Sequence, residues 1–475
     1  MKVDMKIVAE KGQNAVAVGA FSRGEDLLFE ETIPEGAELV SKGEGAKLYV
    51  AGTRRFIVVK AEFPGLDQLD SLRLAAFKLH RLLEREGLGT LGLYLAKASA
   101  AEAEAIFDGL ALGGYKFERY KSKKQAREKL TVFAVAGGQE QEFERLTAKV
   151  DLEQSYISIA KDLVNTSGSD LPPETFAERV RETLIGLGLT IEIRDLADLK
   201  REGFNGLVTV GKGSSTPPCM VTISYNPENA RPGVHFAIVG KGITFDTGGI
   251  SLKPGAKMAD MVSDMAGAAS ALAAIACIAA EKLPVKTTAV LCLAENRIGS
   301  GAVLPGDIFK AKNGKTVFVD NTDAEGRLVL SDGLAEAGLR GATHIVDLAT
   351  LTGAMVRALG YAVSGYFAND EGFAKAIREA GRTCGEKFWE MPLEEEYSEG
   401  LRHAFADLKN TGSDAGAISA ALFLKEFVPE GAVWSHFDIA GTAFVTKAWK
   451  YHDFGATGTG IKTLVRLAQT LGAEP

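Results

Sequence analysis

The chain has 475 residues, 46% of them hydrophobic and 24% charged, with a formal net charge of −8. That length exceeds what one compact core serves, so two domains are expected, and the composition excludes a disordered chain. The acidic balance argues against a general binder of nucleic acid or acidic membrane and favours a soluble cytoplasmic protein.

In chain order, the N-terminal stretch MKVDMKIVAEKG carries no apolar run of secretory-signal length. Strand-like runs follow (KLYVAG, RFIVVKAEF, TLGLYLA, LTVFAVAG), interrupted by LDSLRLAAFKLHRLLEREG, where Leu72, Ala76, Leu79 and Leu83 recur at helical spacing. This predicts an α/β domain over residues 1–137. From 138 to 165 the intervals between Phe143, Leu146, Val150, Ile157, Ala160 and Val164 predict one long linking helix, ending before the turn-rich TSGSDLPP. Residues 166–475 form the larger domain. Its strands HFAIVG, TTAVLCLA, TVFVD and HIVDLATL are continuous apolar runs separated by helices, the pattern of a mostly parallel sheet covered on both faces. The apolar AGAASALAAIACIAA reads as a buried helix, too short for a membrane span. Four cysteines without CxxC spacing read as buried free thiols.

Ligand crevices of such sheets lie outside the carboxyl ends of the strands. Two polar clusters fall there. The first, VGKGITFDTGGISLKPGAKMADMVSDMAGAAS, holds Lys241, Asp246, Lys253, Asp260 and Asp264. It is no dinucleotide loop, because Phe245 stands where the third glycine of GxGxxG belongs. The second, NTDAEGRL, follows the run TVFVD and sets Asp323, Glu325 and Arg327 at alternate positions. The expectation is four carboxylates, two lysines and an arginine at the same end of one sheet. Such a group repels itself unless protonated or neutralised, and a pair of divalent cations would neutralise it. From spacing alone a metal site and a network of salt bridges both stand. None of the six histidines falls in either cluster, which sets aside a histidine-based zinc site.

The two stretches, with NTDAEGRL unchanged, resemble the signatures of the leucyl aminopeptidase (cytosol aminopeptidase) family. DLATLTGA and WSHFDIAGTA extend the resemblance through the C-terminal two-thirds, and YKFERYKSKK carries a weaker one near the N-terminus. The resemblance implies a metal-dependent aminopeptidase that releases leucine and other mostly apolar N-terminal residues by attack of a metal-bridging hydroxide. It implies two divalent ions, manganese or zinc. Lys241, Asp246, Asp264 and Glu325 would hold the tighter one, and Asp246, Asp323 and Glu325 the more exchangeable one. Lys253 would stabilise the oxyanion and Arg327 would hold a bicarbonate. Met261, Thr350, Gly353, Ala440 and Ala443 would form the side-chain pocket. The partners implied are peptides with a free N-terminus and five further copies in a homohexamer, with no membrane. Many members carry an arginine near Ser413, which this chain lacks.

Two other function classes compete. Lys116 to Lys129 carries seven basic and two acidic residues with Phe117 and Tyr120 between them, a DNA-binding pattern that the acidic whole disfavours. A two-metal phosphoesterase would use similar carboxylates, but it lacks basic residues for a phosphate beyond Lys253 and Arg327.

Overall fold

The computed structural model describes residues 2–8, 17–23, 26–29, 33–43, 45–124, 129–412 and 414–473. Ser413 and residues 125–128 of the basic segment lie outside them. Two compact units form, one from Met1–Ser155 with Ala448–Asp453, the other from Tyr156–Lys447 with Phe454–Pro475.

The first unit is built on an eight-stranded sheet. Its strands run Lys2–Val8, Lys129–Val135, Thr90–Tyr94, Ala17–Arg23, Arg54–Lys60, Ala46–Ala51 and Glu38–Gly43, with Asp26–Leu28 beside Ala17–Arg23. The five from Lys2–Val8 to Arg54–Lys60 are parallel, and the rest join antiparallel. The expected helix is Gln68–Arg85, started by Asp67 accepting from the Asp70 amide, and Leu72, Ala76, Leu79 and Leu83 are all buried in the core. A second helix, Ala100–Gly113, was hidden from periodicity because most of its residues are small, apolar and buried. It starts in a reciprocal capping box between Ser99 and Glu102. It crosses the first helix so closely that a Cβ on Gly109 would lie 2.1 Å from the Arg73 carbonyl oxygen. In the basic segment, Lys116 pairs with Glu84 at 2.6 Å and Lys123 and Lys124 are exposed.

The helix Glu140–Val164 contributes to both cores, Phe143, Leu146 and Val150 to the first and Ile157, Ala160 and Val164 to the second. The units part within it, between Ser155 and Tyr156.

The second unit has its own eight-stranded sheet, in the order Phe388–Glu390, Ser364–Ala368, Val433–Asp438, His344–Ala349, His235–Asp246, Lys286–Asn296, Cys219–Tyr225, Thr190–Arg194. The four central strands from Val433–Asp438 to Lys286–Asn296 are parallel, and antiparallel pairings begin on either side. Side chains sort by parity. Phe236 and Ile238 join the core layer of the helices Ala266–Ala280 and Ile461–Gly472, while Ala237 and Val239 join that of Asn205–Gly211 and Gly326–Leu339. The stretch Met258–Ala280 is long and apolar enough to cross a membrane by composition, but its helix is core: every residue from Ala266 to Ala279 is buried.

One strand is not where the sequence suggested. TVFVD does not enter this sheet; Thr316–Phe318 lies in a separate three-stranded sheet between Ile308–Lys310 and Leu408–Lys409. The two polar clusters therefore do not leave the same sheet. Asp323 and Glu325 are not alternate positions of a strand end either: Asp323 is in a turn and Glu325 is the N-cap of Gly326–Leu339. A three-residue pairing is too short to propagate through the seven residues 319–325, and the helix start takes over the geometry.

Candidate metal centre

Lys241 belongs to the His235–Asp246 strand, on the face that Ala237 and Val239 share. Asp246 is five residues on, so a regular strand would turn it to the opposite face. The register corrects this: Ile243 pairs with Ala294 but Asp246 with Asn296, three steps on one strand against two on the other. The inserted residue is a β-bulge that returns Asp246 to the Lys241 side.

Four acids and two lysines meet there. Lys241 Nζ lies 2.8 Å from Asp264 Oδ1 and 2.9 Å from Glu325 Oε1, and donates to the Thr350 carbonyl at 3.0 Å. All three of its protons are thereby used. Lys253 Nζ lies 2.8 Å from Asp246 Oδ2 and 2.5 Å from Asp323 Oδ1. Oxygens of Asp246, Asp323 and Glu325 fall within 4.8 Å of one another. Asp264 follows the short 3-10 helix Met258–Ser263, and its Oδ2 is buried with no hydrogen-bond partner among the described residues.

Glycines make the approach feasible. Gly248 takes φ of 86°, and a Cβ there would sit 2.8 Å from Asp323 Oδ1. A Cβ on Gly326 would lie 2.7 Å from Lys241 Cε and 2.8 Å from its Nζ. The glycine between Glu325 and Arg327 is thus the space the lysine occupies.

Burial pushes the Asp246 carboxyl up to about 6, and the nearby Glu325 adds to the rise against Lys253 and Lys241. Burial likewise raises Asp264 well above the usual carboxylate range in spite of Lys241, and it raises Asp323. Glu325 is held low because Lys241 and Lys253 outweigh its burial. Burial would lower both lysines, yet the acids outweigh it: Asp264 and Glu325 raise Lys241, and Asp246 and Glu325 raise Lys253. Four carboxylates facing two ammonium groups are short of positive charge. A set of oxygen donors with that deficit suits divalent cations.

Arg327 is brought near but not into this ion-pair set. It is buried, its Nε has no hydrogen-bond partner among the described residues, and burial pushes it down to about 10 against Glu325 and Asp438. Among the expected pocket residues, Thr350 does more than line a wall: its hydroxyl donates to Asp264 Oδ1 at 2.8 Å. The Ala440 amide donates to Asp438 Oδ1, which also accepts from Leu351 and Thr352. Met261 is half-buried on the 3-10 helix and Gly353 is exposed at the start of Gly353–Leu359. Ala443 is buried beside Ala266, Ser270 and Thr459, around a small cavity.

Several structural partners escaped the sequence reading. Thr322 Oγ1 donates to the Gly248 carbonyl and accepts from the Ser251 amide, clamping the two loops together. Asn410 holds the second loop through Asp320, Asn321 and Ala324. Asn296 touches both acidic loops. Its only sequence signal is its place at the end of the strand paired with the Lys241 strand, and the strand-end rule would have found it.

Acids and lysines gathered beside the carboxyl end of the His235–Asp246 strand of a mostly parallel sheet fit the class of metal-dependent hydrolases. Residues 158–465 match the model of the cytosol aminopeptidase family catalytic domain, and residues 65–124 that of its N-terminal domain. The chain belongs to the cytosol aminopeptidase family, and it is a metal-dependent aminopeptidase. It is 37% identical to a probable cytosol aminopeptidase of Solibacter usitatus, over 98% of each chain. It is 41% identical to one of Streptomyces avermitilis, over 85% of this chain and 80% of that one. Among solved structures, the bottromycin maturation enzyme BotP is 32% identical with a TM-score of 0.84, covering 96% of this chain and 99% of its own. A second structure of BotP is in complex with Mn. A tomato leucine aminopeptidase variant is 29% identical with a TM-score of 0.81, covering 90% of this chain and 83% of its own.

Proposed function

We propose that the cluster holds two divalent ions, manganese or zinc. Lys241, Asp246, Asp264 and Glu325 serve the tighter one, and Asp246, Asp323 and Glu325 the more exchangeable one. The observation that carries this is the mutual approach of Asp246, Asp323 and Glu325 beside a buried Asp264 oxygen that has no hydrogen-bond partner among the described residues. Lys241 gives up its proton to serve as a ligand, which a cation favours and the present acids oppose.

When bound, the ions supply Lewis acidity and bring the pKa of a water near neutrality. The chain's own groups do the rest. Lys253 is the more exposed of the two lysines, so its ammonium can face substrate and stabilise the oxyanion of the tetrahedral state. Arg327, buried with an Nε that has no hydrogen-bond partner among the described residues, would hold a bicarbonate, which would supply a proton acceptor beside the attacking water. The Asp323 side, where Asp246, Asp323 and Glu325 would hold the more exchangeable ion, would take the free α-amine of a peptide. Met261, Thr350, Gly353, Ala440 and Ala443 wall a pocket of mostly small apolar character. Such pockets separate similar apolar side chains by only about 1–3 kcal/mol, so leucine is preferred within a broad range. The domains divide at the linking helix 138–165, within which the two compact units part, and the assembly is a homohexamer. The location is cytoplasmic, a reading supported by likeness to proteins named cytosol aminopeptidases.

Hydrolysis of leucine anilide by protein that has been chelated and then resupplied with Mn or Zn tests the reading, beside an N-acetylated control. Turnover that needs both metal and a free α-amine is expected. Equal turnover of the acetylated substrate would remove the amine-selecting role.

A further inference from the structure

Asn296 closes the Lys286–Asn296 strand, is 1% exposed, and stands where three segments meet. Its Nδ2 donates to Asp246 Oδ1 at 2.8 Å, to the Thr322 carbonyl at 3.0 Å and, at 3.4 Å, to Glu325 Oε2. All three groups are acceptors, which fixes the amide's orientation with its nitrogen toward them. Its backbone carbonyl accepts from both the amide and the hydroxyl of Thr247, at 2.9 Å each. One residue therefore grips the turn after Asp246 from its main chain and both bridging acids from its side chain.

The chemistry of that contact is specific. Asp246 Oδ1 already accepts from the Gly248 amide at 2.8 Å, so with Asn296 it has two donors. Its Oδ2 is left for the opposite side, where Lys253 Nζ sits at 2.8 Å. A neutral donor suits this position. Lysine or arginine would bring a charge that repels cations, and a water would not fix the two carboxylates relative to each other. The β-bulge supplies the pairing that makes the contact feasible, since it sets Asp246 directly opposite Asn296.

We infer that Asn296 is the positioning residue of the metal centre, its side-chain amide aiming Asp246 and Glu325 so that both can be shared between two ions. The inference rests on the two-ion reading above. It touches no substrate and works through the acids.

Isothermal titration with Mn, together with the electron paramagnetic resonance of the loaded protein, tests it on the full chain. Wild type is measured first: failure to take up two Mn per chain removes the two-ion reading itself. Given two, Asn296→Ala should weaken Mn binding by roughly 10- to 100-fold, the usual loss when a group that orients ligands is removed. It should also reduce the spin-coupled signal of the pair, and turnover should return as Mn is raised while KM for leucine anilide stays put. Ser435→Ala is the control for mere loss of a buried hydrogen bond, because Ser435 Oγ donates to the Phe367 carbonyl in the same sheet. It should lower the unfolding temperature without moving Mn affinity. Mn affinity and resonance like wild type in Asn296→Ala would overturn the proposal, as would an equal loss in Ser435→Ala. Asn296→Ser, too short to reach the acids, stands in if the alanine variant does not fold. Insoluble protein from both would make Asn296 a folding residue and overturn the positioning role.

Discussion

Glu325 and Gly326 are adjacent, and each answers to Lys241 in a different way. Glu325 supplies a charge that holds the ammonium at 2.9 Å; Gly326 supplies the absence of a side chain that lets it arrive. Glu325→Gln keeps the shape and removes the charge. It should abolish leucine anilide turnover and weaken metal binding while circular dichroism stays unchanged, and normal turnover would remove the two-ion mechanism. Gly326→Ala acts by volume. At a helix position alanine is ordinarily the more stable by roughly 0.5–1 kcal/mol. Here its Cβ would displace the Lys241 terminus from its buried acids, a loss that outweighs the helix gain, so the unfolding temperature and the metal affinity should both fall. A variant that binds metal like wild type would show that Lys241 can reach its place by another route.

At the scale of elements, the strand bulge and the helix pair of the first unit each make a residue depend on its neighbours. His80 lies on Gln68–Arg85, fully buried against the Gly113 backbone, where a Cβ would be 2.6 Å from its own. Burial pushes its imidazole down to about 4. The unfolded chain therefore binds a proton below about pH 6.5 that the folded one refuses. The stability this represents is whole above pH 6.5 and is lost as pH falls toward 4, by about 3 kcal/mol in all. Urea unfolding across that range should show the loss in wild type and a flatter curve in His80→Leu. Identical pH curves would mean that the loss comes from other groups, His235 among them, whose imidazole burial also pushes down to about 4.

For the whole molecule, the raised Lys241, as the proposed ligand, would make metal binding a proton release as well. The acids hold the ammonium charged, so a metal ion must compete with that proton. Affinity should rise about tenfold per pH unit for each proton displaced below the lysine's raised value. Calorimetry in buffers of different ionisation enthalpy counts the protons directly. At least one released per ion pair is expected, and none would exclude Lys241 as a ligand.

Much of this was legible in the order of residues. Apolar runs of strand length and a helix of 3.6 period are local, so the alternating α/β pattern, the core faces of Gln68–Arg85 and the six charged residues that meet at the centre could be named from spacing, motif and family resemblance. What the sequence could not hold is parity and pairing. Nothing in ITFD says that one residue bulges, yet without that bulge Asp246 would face away from Lys241. Nothing in TVFVD says that it pairs in a small separate sheet and hands the next loop over to a helix cap. Thr322 and Asn410 are polar residues of ordinary kind until segments distant in sequence are laid side by side, and Asn296 shows only its place at a strand end. The sequence by itself determined which groups carry the chemistry, because charge and hydrogen-bonding capacity are properties of single residues. Only the tertiary structure decided which of them meet, because hydrogen-bond register and close packing are properties of pairs.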